Sequence, residues 1–122
     1  MKVKLIDLLN SKLVLKKIGE SKDYDGVTCY KISRNIDMAN PEFVRFEKHQ
    51  AELFEKYAES TKDESGEEIK RIPDEKTGDA DKELFEIVES EIELDIMYIN
   101  PEKLTGLSPL EMMAIYWMLK LE

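Results

Sequence analysis

The feature that most constrains this chain is an apolar stripe between Tyr24 and Glu59. Positions 29, 32, 36, 39, 43, 46, 50, 53 and 57 step alternately by three and four and read Cys, Ile, Ile, Ala, Phe, Phe, Gln, Leu and Tyr. Such spacing returns side chains to one face only in an α-helix, so almost 30 residues of it predict one very long helical segment. Pro41 falls inside the stripe. It has no amide to donate to the Asp37 carbonyl and costs about 3 kcal/mol in a helix interior. Asn40 as N-cap with Pro41 at the first helical position would instead start a second helix. Because the stripe keeps its phase through Pro41, the expectation is a long helix kinked there, or two nearly collinear helices.

The rest of the chain must supply what this helix packs against. "KVKLI" at residues 2–6 alternates Val3 and Leu5 with lysines and reads as a short strand. Asp7 can then cap a helix through Leu8, Leu9, Val14, Leu15 and Ile18 that stops at Gly19. Residues 58–82 hold nine acids and five bases with only Ile69 and Ile72 as large apolar residues, which predicts a charged loop or hairpin with "EEIKRI" as an edge strand. Asp79 or Asp81 can cap a short helix with Leu84, Phe85 and Val88 on its inner face. "EIELDIMYI" follows as the best strand in the chain. "SPLEMMAIYWMLK" opens with Ser108, Pro109 and Glu111, a capping box with proline at the first helical position.

In "ESEIELDIMYIN", residues 89–100, Glu91, Glu93 and Asp95 alternate with Ile92, Leu94, Ile96 and Tyr98. The wet face of a half-buried strand accounts for this row, and charges there discourage pairing with other chains. The same carboxylates could also meet a basic patch on a partner. The predicted last helix is apolar around most of its circumference. It either lies in the middle of the domain or gives part of its surface, Met113, Tyr116 and Trp117, to another chain, since Trp and Tyr dominate binding hot spots.

The chain has 122 residues, enough for one domain with one core, and a net charge of −9. Residues 59–95 carry 15 acids against 5 bases and so supply −10 by themselves, which disfavours direct binding to a phosphate backbone. No apolar run approaches the roughly 20 residues that would span a bilayer, and the first residues lack the continuous apolar core of a signal peptide, so a cytoplasmic, non-membrane protein is expected.

The chemistry of catalysis is hard to find. Cys29 and His49 are the only residues of their kinds, which excludes an internal disulfide and a histidine-rich zinc site. On one helix the two would stand about 30 Å apart, too far for a nucleophilic pair. No phosphate-binding glycine loop or nucleophile elbow is present. Glu93 and Asp95, with Asp74, Glu68 and Lys70, give a faint version of the carboxylates with which nucleases hold Mg²⁺, in the wrong order along the chain. No catalytic residue, cofactor or metal ligand is therefore assigned.

Five stretches, "KVKLIDLLNS", "YKISRNI" leading into "FEKHQAELFEKYAE", "IPDE", "EIELDIMYI" and "LSPLEMMAIYWML", follow one another over nearly the whole chain. In this order and spacing the chain resembles a family of small uncharacterised proteins from phages and prophages of Gram-positive bacteria. Pro41 departs from the uninterrupted helix expected there. The resemblance implies a phage origin and a host-cytoplasm setting and carries over no site residues.

The expected fold is α+β, a mainly helical single domain with a long helix, a C-terminal helix packed on it, and a small sheet built from residues 2–6, 68–72 and 91–99. The expected function is that of a non-enzymatic phage accessory protein that binds a protein, modulating a host or defence factor. Trp117, Tyr116 and Met113 would make an apolar contact, and Glu91, Glu93 and Asp95 a charged one. The alternatives are a phage structural or assembly protein that self-associates through the long stripe, and an acidic inhibitor that imitates DNA.

Overall fold

The computed structural model describes residues 1–120 and shows an α+β fold dominated by helices. Strand β1 (Lys2–Lys4) runs directly into α1 (Leu5–Asn10), followed by α2 (Lys12–Glu20), the long α3 (Gly26–Tyr57), a hairpin of β2 (Glu59–Lys62) and β3 (Glu68–Arg71), α4 (Asp74–Val88), β4 (Glu91–Glu93) and α5 (Pro109–Ala114). Short 3-10 turns at Pro101–Lys103 and Tyr116–Met118 flank α5.

The long helix is a single element of 32 residues, about 48 Å at 1.5 Å per residue, with Pro41 inside it. Asn40 does not restart it. Pro41 and Asp37 both face solvent, so water can satisfy the carbonyl that proline leaves unbonded, while Ala39 and Phe43 hold the opposite face in the core. The Asp25 side chain caps the start by accepting from the Thr28 amide at 2.8 Å. The buried face reads Thr28, Ile32, Asn35, Ala39 and Phe43, so Cys29 and Ile36 flank it, and polar residues stand at its start, Thr28, and its centre, Asn35.

The first predicted helix starts earlier than Asp7 and is broken in two. Ser11, fully buried, returns both its amide (3.1 Å) and its hydroxyl (2.5 Å) to the Leu8 carbonyl, and α2 begins one residue later. This turn lets Leu8, Val14, Leu15 and Ile18 all reach the core. Near its end α2 lies against α3 so closely that a Cβ on Gly19 would stand 2.7 Å from Ile36 Cδ1.

The predicted three-stranded sheet divides into two antiparallel pairs. β1 pairs with β4, setting Lys2 opposite Glu93, Val3 opposite Ile92 and Lys4 opposite Glu91. β3 pairs with β2, which was not expected as a strand, in a separate hairpin. Local chemistry closes that hairpin: one Asp63 oxygen accepts from the Ser65 amide (2.9 Å), the Ser65 hydroxyl (2.7 Å) and the Glu67 amide (2.9 Å), and Gly66 takes a φ of +84°. α4 begins at Asp74, earlier than the predicted caps, with Pro73 in extended conformation ahead of it and Asp74 and Glu75 favourably placed in its first turn. Its Ala80 is buried and its Phe85 is exposed.

The C-terminal segment departs furthest from expectation. The capping box forms as predicted: Ser108 Oγ accepts from the Glu111 amide, and Glu111 accepts from the Ser108 amide. The α-helix nevertheless ends after six residues. Ile115 turns inward, a 3-10 turn follows, and Trp117, Met118 and Leu119 enter the core. Leu119 forms a parallel bridge with Ile99, with Ile99 N donating to Met118 O at 2.9 Å and Lys120 N to Ile99 O at 2.8 Å. A helix apolar on most sides is thus resolved into a short amphipathic helix and a buried tail.

No helix among the described residues is long and apolar enough to cross a membrane.

Candidate functional site

A groove of about 700 Å³ lies between β1–α1 on one side and α5 with its following turn on the other. Lys2, Val3 and Lys4 line one wall, continued by Asp7 and Asn10 on α1. Leu110, Met113 and Tyr116, spaced by three residues, stand along the other side and are 76%, 69% and 59% exposed. Trp117, only 7% exposed, also lines the groove, as does Ala114, three residues earlier at the end of α5. Its indole Nε1 is buried with no hydrogen-bond partner among the described residues. A buried donor left without an acceptor costs about 1–3 kcal/mol, so this wall carries an unmet demand.

The local sequence explains why the apolar row stays outside. Ser108 and Glu111 start α5 on the surface, and Lys17 Nζ of α2 grips Glu111 at 2.8 and 3.0 Å. The hydrogen bond from Lys17, aided by that from the Ser108 amide, holds the Glu111 carboxyl below the usual carboxylate range. With Glu111 turned to α2 and Ile115 in the core, Leu110 and Met113 are left exposed along the groove.

Of the residues singled out from the sequence, the groove brings together Met113, Tyr116, Trp117 and Glu91. Trp117 belongs to the core as well as to the groove wall, while Met113 and Tyr116 are surface. Glu93 and Asp95 lie outside the lining. Glu93 binds the N-terminal ammonium at 2.8 Å, which lowers its pKa, and Asp95 lies exposed past the end of β4. Lys4 is held by Glu89 at 2.9 Å and its pKa is raised by that bond. Lys2, Lys4, Asn10 and Leu110 were missed as groove residues. The spacing 110–113–116 was the one available signal for Leu110.

Three carboxylates of the acidic segment are tied up within the chain. Glu59 pairs with Lys76, Glu83 with Lys56 and Tyr57, and Glu89 with Lys4. The carboxylates weighed as a Mg²⁺ site are dispersed, since Glu68 and Lys70 lie in the β2–β3 hairpin and Glu93 in the other sheet. Among the described residues no three His, Cys, Asp or Glu side chains are grouped to hold a metal ion. Cys29 and His49 stand 20 positions apart on the same helix, and His49 is exposed with Nδ1 3.4 Å from Glu52.

No protein family, no curated protein and no solved structure compared with this chain matches it.

Proposed function

We propose that this protein is a non-enzymatic binding protein that holds another protein in the groove between β1 and α5. One observation carries the reading: Leu110, Met113 and Tyr116 expose a row of large apolar side chains beside a concavity walled by Trp117. Large apolar and aromatic side chains grouped around a cleft are the usual anchors of protein interfaces. On the resemblance to phage and prophage proteins, the setting is the host cytoplasm and the partner a host or defence protein. The acidic surface gives less support to imitation of DNA, because Glu59, Glu83 and Glu89 are already ion-paired within the chain.

The test is affinity capture from host lysate, at low salt and at about 0.5 M salt, comparing the natural chain with Met113→Glu and Tyr116→Ala. A partner held at both salts by the natural chain and lost by both variants supports the groove, since salt screens charge but spares apolar burial. A partner that both variants retain removes the groove as the binding site, and self-association unaffected by them favours an assembly role through α3.

A further inference from the structure

We infer that the groove takes an extended segment of the partner as a third strand on β1, with an acidic residue opposite Lys2 and an apolar residue opposite Val3. This rests on the proposed binding role of the groove and specifies the partner's chemistry.

The peptide groups of β1 point both ways. Leu94 N donates to Met1 O at 2.8 Å, and Leu5 N donates to Ser90 O at 2.9 Å. These bonds, with Val3 paired to Ile92 between them, turn Met1, Val3 and Leu5 toward β4. By the alternation of the ladder, the amide and carbonyl of Lys2 and the amide of Lys4 face the opposite edge, while the Lys4 carbonyl, at the cap of α1, accepts the first bond of that helix. β1 pairs only with β4 among the described residues, so that edge is open. It borders the groove, which Lys2, Val3 and Lys4 all line. An open strand edge beside an apolar row is what strand addition uses: main-chain bonds hold the guest, and alternate side chains read it.

The side chains of an added strand fall beside those of β1 on the same faces. A residue opposite Val3 enters the part of the groove shared with Trp117 and Met113, and must be apolar. On the other face, Lys4 is already held by Glu89 at 2.9 Å. Lys2 lies across from Glu93, whose carboxylate binds the N-terminal ammonium, and Lys2 itself makes no ion pair among the described residues. An acid directly opposite Lys2 on the guest gives it the ion pair that Glu93, bound to the ammonium, does not make. Glu93 is one strand farther, about 10 Å from the added strand and near the screening length, and although Asp7 and Glu91 also line the groove, the adjacent Lys2 decides the preference opposite it. A second copy of this chain is a poorer guest, because pairing two β1 edges sets lysine against lysine. A helical guest would leave both Lys2 peptide groups and the Lys4 amide unpaired.

The test pans a display library of random linear heptapeptides against the full chain, tagged at its C-terminus because Met1 lines the groove, and against Lys2→Glu and Met113→Glu. The expected result is at least tenfold enrichment of peptides that alternate polar and apolar residues with an acid beside the apolar position. Lys2→Glu should turn that acid preference to a basic one, and Met113→Glu should abolish enrichment. A synthetic peptide of the winning sequence should slow hydrogen exchange at the Lys2 and Lys4 amides at least tenfold. No enrichment, an acid preference unchanged by Lys2→Glu, or unaltered exchange at Lys2 and Lys4 overturns the inference. Apolar residues enriched at helical spacing and lost with Met113→Glu overturn strand addition while leaving the groove as the binding site. Enrichment that survives Met113→Glu removes both.

Discussion

Asn35 hydrogen-bonds in both directions with the backbone of Met97: its Nδ2 donates to the Met97 carbonyl at 2.8 Å and its Oδ1 accepts from the Met97 amide at 2.8 Å. The side-chain amide thus does what a neighbouring strand would do. β4 ends at Glu93, and the chain from residue 94 to 98 crosses the long helix without a ladder of its own. Asn35, fully buried, fixes that crossing and places its Nδ2 3.7 Å from Met118 Sδ, which joins the C-terminal tail to the same point.

Replacing Asn35 by Leu should therefore destabilise the protein by about 2–5 kcal/mol, because both Met97 groups lose their partner in a buried place. Asn35→Asp keeps an acceptor for the Met97 amide but removes the donor to its carbonyl and buries a charge, so it should cost at least as much at neutral pH. Urea unfolding curves of the two variants check this. A loss below about 1 kcal/mol for Asn35→Leu would show that the amide does not carry the crossing.

Trp117 and its neighbour Tyr116 should separate stability from binding. Trp117→Ala is expected to cost about 3–5 kcal/mol, as for other large core aromatics. Trp117→Phe should cost much less, about 1 kcal/mol, because it removes the indole N–H that has no acceptor along with part of the ring. Tyr116→Ala, at a 59% exposed position, should stay within about 0.5 kcal/mol. Denaturant melts of the three variants give the comparison.

Gly19 offers a coupling test. Alanine suits a helix better than glycine by about 1 kcal/mol, but its Cβ would stand 2.7 Å from Ile36 Cδ1. Gly19→Ala alone should be close to neutral, the propensity gain being offset by displacement of that methyl. Ile36→Val removes Cδ1. The double variant should accordingly be more stable than the sum of the single effects by about 0.5–1 kcal/mol, measured as a double-mutant cycle.

Stability should fall in acid below the ordinary carboxylate range. Glu111 is held low by Lys17, Asp63 by the Ser65 hydroxyl, Glu83 by Lys56 and Asp25 by the Thr28 amide. Each therefore binds its proton more weakly folded than unfolded. Their contribution is complete above the unfolded pKa and is lost as pH falls through the lower folded one. Thermal melts from pH 6 to pH 2.5 should show a declining midpoint, and Lys17→Met should flatten part of that decline. A midpoint independent of pH over this interval would contradict the assignment.

The strong local signals were legible because they are settled within a few residues. The capping box at Ser108 and Glu111 needs only its own turn. Val3, Ile92 and Leu94 alternate because a two-stranded pair with one dry face requires it, and the row Glu91, Glu93 and Asp95 is accordingly exposed. The buried face of α3 is turned slightly from the apolar stripe, because it includes the polar Thr28 and Asn35 where the stripe has Cys29 and Ile36.

By itself the sequence determined that helix would extend on both sides of Pro41, as one kinked helix or two collinear ones, that residues 2–6 and 91–99 would hold strands, of which only 2–4 and 91–93 form, and that negative charge would gather between residues 59 and 95. Period and capping act over one or two turns, and charge needs no partner to be counted. Only the tertiary structure decided that the last helix stops at Ala114, that 68–71 pairs with 59–62 rather than with β1, and that Met113, Tyr116, Trp117 and Glu91 share one groove. In each of these the deciding contact lies far away in sequence. Leu119 meets Ile99, Met118 meets Asn35, and Trp117 shares its groove with Val3. Burial of those side chains outweighs the weak local preference for another helical turn, because large apolar side chains gain more from leaving water than one turn of helix gains from propensity.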